Sequence, residues 1–327
     1  MADLSTTLMG LRLRNPVVVS SSRLTSTLDG IRACADAGAG AVVLKSLFEE
    51  QIMVDTDKAI QEATFLTHTE AEDYFVAMGR NHYMDEYFAL VESAKKSVSV
   101  PVIASVNCIT AETWLEYARS FESAGADALE LNVFALPVDV TRDSGSLEAH
   151  YLDIASRVSA RLKIPVALKI GFHFTAMAQV IQALSRTGVK ALVLFSRFHR
   201  PDFDIESIEV TSASITSASE ESALPLQWIA LMAGRVGCDL VANTGIHDGA
   251  GVVKQLLAGA AAVELCTVLE TKGAGMIPAI LGELQAWMKR RSFGSIADFA
   301  GMLSRERSAE PSSFERSQYL RGIAAAK

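Results

Sequence analysis

Short apolar runs, each opened by a turn signal and closed by a polar residue, recur along the whole chain. Residues 38–46, Gly-Ala-Gly-Ala-Val-Val-Leu-Lys-Ser, show the pattern. A glycine ends a helix, a β-branched run makes a buried strand, and a polar group stands where the strand stops. The same order returns at 125–132, 188–196, 237–244 and 259–267, and it opens on proline at 16–20, 101–107 and 165–169. Eight such strands, separated mostly by helical stretches, predict one α/β domain over residues 1–327, a closed (β/α)8 TIM barrel.

The intervening stretches carry their own signals. Leu4, Thr6, Leu8 and then Leu11, Leu13 alternate around Met9-Gly10, which predicts an N-terminal β-hairpin capping the barrel floor. Helices are expected over about 27–37, 84–96, 146–163, 175–186, 225–236 and 277–290, with Thr110 and Asp248 as caps of two more. Two excursions interrupt the repeat on the catalytic side. Residues 47–82 read as part of a substrate lid, and 197–221 as either a mobile loop or a small surface hairpin. The tail beyond Arg291 is polar enough to lie on the surface or against a second subunit.

The strand ends supply Ser20, Lys45 with Ser46, Asn107, Asn132, Lys169, Ser196, Thr244 and Thr267. In a parallel barrel these converge on one face, where the site of such a fold is built. Two lysines there need an explanation, since a lysine beside a barrel core loses hydration unless it meets an anion or carboxylate. Three readings stay open: charge that stabilises a reduced flavin ring, a Schiff-base lysine, or an ion pair with Glu130 or Glu264. The turns at Thr244-Gly245-Ile246 and Cys266-Thr267 read as a phosphate cradle, with Gly245 either admitting the anion or serving a tight turn.

Composition narrows the class. The chain has 327 residues, is 50% hydrophobic and carries a formal net charge of -8, which argues against nonspecific nucleic-acid binding. Cys34, Cys108, Cys238 and Cys266 have neither paired metal spacing nor a disulfide framework, so a reducing cytoplasm is expected, with no metal site and no iron-sulfur cluster held by this chain alone. The amino terminus lacks a signal-peptide pattern, and no apolar run reaches spanning length, so no membrane partner is expected.

Taken in order, Asn15-Pro16 with the following serines, residues 38–46, Glu130-Leu131-Asn132, Leu168-Lys169, Thr244-Gly245-Ile246 and Cys266-Thr267 resemble the dihydroorotate dehydrogenase family, closest to its soluble branch. The resemblance spans most of the chain. It implies an FMN-binding barrel that oxidises a carbon-carbon single bond of a small cyclic or carboxylic molecule, in pyrimidine biosynthesis, as a homodimer. By position, Ser20, Ser21, Lys45, Ser46, Asn132, Lys169, Ser196, Thr244, Gly245, Cys266 and Thr267 would surround FMN, and Lys45, Lys169, Asn132 and Cys108 would serve catalysis. Other readings are a Schiff-base lyase on the same barrel, or a noncatalytic FMN or electron-relay subunit with an iron-sulfur partner.

Departures from the family pattern are specific. The motif after strand four is Asn-x-Ser-Cys-Pro-Asn in the family, whose cysteine removes the substrate proton; here Ala135 stands at that position, and alanine cannot accept a proton. Of the Asn-x-x-Gly-Leu-x-Asn substrate reader only Gly79 and Asn81 remain. The glycine-rich turn before the helix leading to strand seven is replaced by Ser217-Ala218-Ser219-Glu220-Glu221-Ser222. Cys108, Asp139, Ser144 and His173 are the candidates for a replacement base.

Overall fold

In the computed structural model, residues 2–48, 84–108, 115, 119–133, 135–198, 201–212, 214–309 and 311–314 are described. Residues 49–82 of the lid expected over 47–82, with Gly79 and Asn81, and the Thr110 cap lie outside them. The chain opens with a hairpin of β1 (Thr6–Leu8) and β2 (Leu11–Leu13), turned by Met9 and Gly10 at φ 55° and 82°. The parallel sheet follows as β3 (Val17–Val19), β4 (Ala41–Val43), β5 (Leu47–Phe48), β6 (Val102–Cys108), β7 (Ala128–Val133) and β8 (Val166–Ile170). It continues as β9 (Ala191–Leu194), and then, after a surface hairpin of β10 (Pro201–Asp204) and β11 (Glu209–Ser212), as β12 (Asp239–Asn243) and β13 (Ala262–Leu265). Neighbours run β4-β3-β13-β12-β9-β8-β7-β6, and the β4–β6 pairing closes the cylinder. Since β4 and β5 both pair with β6, they are two pieces of one strand, and the barrel has the eight strands that the pattern predicts.

Alternation along each strand divides the core in two. One set of side chains, among them Val17, Val19, Val42, Leu129, Leu168 and Leu192, packs outward under the helices. The other set points into the cylinder: Val18, Ala41, Val43, Ile103, Ala128, Ala167, Ala191, Val193, Val241 and Ala262. Leu8, Met9 and Leu13 of the hairpin join that inner set, so the hairpin does plug the floor. It is held there by the Met9 N–H donating to Asp239 Oδ2 at 2.6 Å.

Helix ends follow local capping chemistry. Thr27 Oγ1 accepts from Gly30 N–H ahead of Leu28–Asp36, and Asp248 Oδ1 accepts from Gly251 N–H ahead of Gly249–Ala258, as expected. The helix expected from 146 begins two residues earlier, at Ser144, because Asp143 caps it through Ser146 N–H at 2.7 Å. That expected to reach 236 stops at Met232, just before Gly234 at φ 82°. Of the two readings of 197–221, the surface hairpin is the one found.

The tail departs from expectation. Phe299 is fully buried, with ring centroids 4.9 Å from Trp287 and 5.3 Å from Phe293, and Asp3 bridges to Ser295. Phe293 and Phe299, with the buried Ile296 between them, fasten the tail to the Met276–Arg291 helix. No helix among the described residues is long and apolar enough to cross a membrane.

Candidate active site at the barrel mouth

Above the apolar floor the cylinder turns polar, and the change begins at a bulge. Val43 pairs with Ile103 but Leu47 pairs with Val106, so three residues, 44–46, lie opposite two. Leu44 and Leu47 both pack in the outer core, which leaves the adjacent Lys45 and Ser46 together at the mouth. The bulge would strand the backbone of Ser105, and Tyr87 from the 84–97 helix repairs it. The Tyr87 hydroxyl accepts from Ser105 N–H at 2.9 Å and donates to Ser105 O at 3.1 Å.

The layer beneath the mouth is charged and almost closed to solvent, with Glu130 1%, Glu264 3% and Lys169 6% exposed. Lys169 Nζ donates to Glu264 Oε2 at 2.7 Å and to Ser20 Oγ at 3.1 Å, with Glu130 Oε1 at 3.6 Å. Ser20 Oγ also donates to Glu264 Oε2, at 2.8 Å. Burial, then the charge of Glu264, push the Glu130 carboxyl up to about 8. Burial also opposes ionisation of Glu264, but the ammonium and the hydrogen bonds it receives overcome this and hold it below the ordinary carboxylate value. Burial disfavours the charged form of Lys169 as well; the two carboxylates outweigh it and raise its pKa. At neutral pH the layer is one ammonium, one carboxylate and one neutral carboxyl.

Asn132 lies in register with Lys169 on one side and Asn107 on the other, and its Oδ1 accepts from Ser196 Oγ at 2.5 Å. Asn243 Nδ2 and Thr244 Oγ1 donate to the Phe195 carbonyl at 2.7 and 3.1 Å. Glu130, Glu264, Ser105 and Asn243 stand inside the barrel although the strand ends alone did not mark them as site residues. Their signal was available in the alternation: a polar residue two positions from an inward alanine, valine or isoleucine is itself inward.

At the expected phosphate end, Thr244 and Gly245 both have positive φ, 82° and 76°. A Cβ on Gly245 would lie 2.3 Å from Ser222 N, so glycine here admits the Ser219–Ser222 turn, the tight-packing role. Ser217 N–H and Oγ donate to Thr267 Oγ1 at 3.1 and 3.0 Å, and Ser217 Oγ lies 3.0 Å from His247 Nε2. The glycine-free segment is therefore fixed by side chains, with Arg197 Nε donating to Glu221 Oε2 at 2.9 Å from outside. Cys266 follows β13, and burial pushes its thiol up to about 11.

Three of the four replacement-base candidates, Asp139, Ser144 and His173, line one cavity of about 230 Å³ beside Ala135. Asp139 accepts from Thr141 Oγ1 and N–H at 2.6 and 2.9 Å, which holds its carboxylate below the usual range and weakens it as a base. Cys108 ends β6, and residues 109–114 beyond it are outside the described set.

The family model of dihydroorotate dehydrogenase matches residues 3–288. The chain belongs to the dihydroorotate dehydrogenase family. Among curated relatives, the dihydroorotate dehydrogenase B (NAD(+)) catalytic subunit of Thermoplasma acidophilum is 26% identical over 320 residues, covering 93% of this chain and 100% of the relative. That of Methanocaldococcus jannaschii is 24% identical, covering 91% and 97%. The chloroplastic dihydropyrimidine dehydrogenase (NADP(+)) of Arabidopsis thaliana is 23% identical, covering 91% of this chain and 76% of its own. The chain is thus a dihydroorotate dehydrogenase-like oxidoreductase. At this low identity it is a divergent member of the family.

Proposed function

We propose that the chain is an FMN-dependent oxidoreductase acting on a CH–CH bond of a small cyclic or carboxylic substrate, with dihydroorotate a poor substrate at best. The observation that carries this reading is the mouth itself: Lys45 and Ser46 brought together by the bulge, Asn132 aligned by Ser196, and Lys169 one layer below, all on one rim of a closed barrel. These groups fit the polar edge of a flavin. Thr267, Ser217 and His247 beside the Gly245 turn fit a phosphate, as a set of hydroxyl and imidazole donors. Bound there, FMN would supply the acceptor for two electrons and a hydride.

The protein's own part is positioning and charge. Ser196 Oγ donates to Asn132 Oδ1, which fixes the amide and leaves its NH2 as the donor end. Lys169 is locked by Glu264 and Ser20, giving fixed positive charge that needs no reorganisation as negative charge develops above it. The same lock argues against Lys169 as a Schiff-base lysine, because the Glu264 carboxylate at 2.7 Å keeps the amine protonated and a protonated amine is no nucleophile. The relatives named as catalytic subunits support a partner protein; a homodimer and an iron-sulfur electron partner, in the cytoplasm, complete the proposal.

The test is the visible spectrum of the purified chain. A flavin spectrum as isolated, or after incubation with FMN, is expected; a protein that stays colourless overturns the proposal. Dihydroorotate turnover is expected at least about 100-fold below that of a relative with its base, the typical value of a positioned proton acceptor. Equal turnover would show that Ala135 costs nothing and that another residue removes the proton.

A further inference from the structure

The neutral carboxyl of Glu130 has no part in the function above, and a file of serine hydroxyls, whose outer members Ser21 and Ser46 also border the proposed flavin site, runs from it to the mouth. We propose that Glu130 is a buried proton store, filled from the barrel mouth through Ser21, Ser46 and Ser105.

The file is continuous. Ser105 Oγ donates to Glu130 Oε1 at 3.4 Å, Ser46 Oγ lies 2.7 Å from Ser105 Oγ, and Ser21 Oγ lies 3.1 Å from Ser46 Oγ. Each hydroxyl owns one proton. Ser105 commits its proton to Glu130, so Ser46 donates to Ser105 and Ser21 donates to Ser46. All three O–H bonds therefore aim inward. Ser21 is kept in line by accepting from Ser46 N–H at 2.8 Å, and it stands half-exposed at the rim while Ser46 and Ser105 are buried. Tyr87 clamps the strand position of Ser105, and the bulge sets that of Ser46.

The charged layer gives the file a destination. Lys169 directs its short contacts to Glu264 and Ser20 and leaves Glu130 at 3.6 Å, so two carboxyl groups share one close cation and a proton restores the balance. The titratable groups facing Glu130 are Glu264 and Lys169, with Cys266 facing the lysine from beyond. Burial and Glu264 place the Glu130 carboxyl near neutrality, where a store is useful. In a filling step the carboxylate takes the proton of Ser105, Ser105 that of Ser46, Ser46 that of Ser21, and Ser21 is refilled at the rim from solvent or substrate. One proton enters and no other bond changes. What the proton is for rests on the flavin reading: oxidation of a carbon acid releases one at the mouth, where Ala135 cannot accept it. The store itself does not rest on it.

Infrared difference spectroscopy of the full chain, with no flavin added, tests this directly. A protonated-carboxyl band is expected at pH 7, absent in Glu130→Gln. On mixing with D2O its isotope shift is expected to be slowed by an order of magnitude or more in Ser46→Ala and Ser105→Ala, and restored in Ser46→Thr, with unchanged circular dichroism. No band at pH 7, a band that survives Glu130→Gln, or equally fast exchange in both alanine variants overturns the proposal. The two readings fail separately: a colourless protein with serine-dependent exchange sinks the flavin and keeps the store, and a yellow protein without the band does the reverse.

Discussion

The lower and upper halves of the barrel interior are built by the same strands, a few residues apart, and obey opposite rules. Below, Val18, Val43, Ile103, Val193 and Val241 meet Leu8 and Leu13 of the hairpin in a dry, apolar plug. Above, Ser20, Ser105, Glu130, Lys169 and Glu264 fill the same cylinder with charges and hydroxyls at nearly the same burial. The plug gains stability from every group it removes from water. The upper layer loses hydration and recovers it only through well-placed partners, and similar-sized apolar side chains often do as well or better in stability terms. Its presence is therefore an argument about chemistry at the mouth, and the contrast can be broken from either side.

The largest effect is expected in the upper layer. Glu264→Ala removes the close partner of a buried ammonium and is expected to destabilise the chain by about 3–5 kcal/mol, read by urea denaturation. A loss under about 1 kcal/mol would mean that Glu130 takes over the lysine, and that the layer is looser than its distances imply. In the lower layer, Leu13→Ala leaves a cavity at a fully buried site and is expected to cost about 3 kcal/mol, with no change in the infrared band of the Glu130 carboxyl. Smaller again is Tyr87→Phe. It keeps the ring but strands Ser105 N–H and C=O at the bulge, an expected loss of about 2 kcal/mol. A stable Tyr87→Phe variant would show that the bulge is fixed by something other than that hydroxyl.

The same contrast explains what the sequence disclosed. The lower layer and the strand count were legible, because glycine-closed helices and β-branched runs report burial residue by residue. Lys169 was legible as a strand end, and its pairing with Glu130 or Glu264 was one of three open readings. What no local pattern revealed was the bulge: Lys45-Ser46 looks like any strand terminus until its register against Ile103 and Val106 is known. Nor did average polarity disclose the buried Phe299, whose ring contacts with Trp287 and Phe293 outweigh its polar neighbours. Gly245 announced a special conformation correctly but not which neighbour needed it.

The smallest expected effect separates the two carboxyls of the upper layer, and its sign runs against the others. Glu130 has a folded pKa raised to about 8 from an ordinary value of 4.5, so its contribution to stability is complete below the unfolded value and is lost as pH rises through the folded one. Wild-type stability should therefore decline between about pH 4.5 and 8 on account of this group, by at most about 1.4 kcal/mol per pH unit. Glu130→Gln carries no titrating proton and should lose that slope. The variant therefore gains on wild type with each pH unit between about 5 and 8, and the gain levels off above the folded value. Glu264→Gln, measured in parallel, should be less stable than wild type at both ends of that range, because its carboxylate is the ionised one. Should the two glutamine variants give the same pH profile, the proton is shared evenly, and the division of labour between store and counter-ion fails with it.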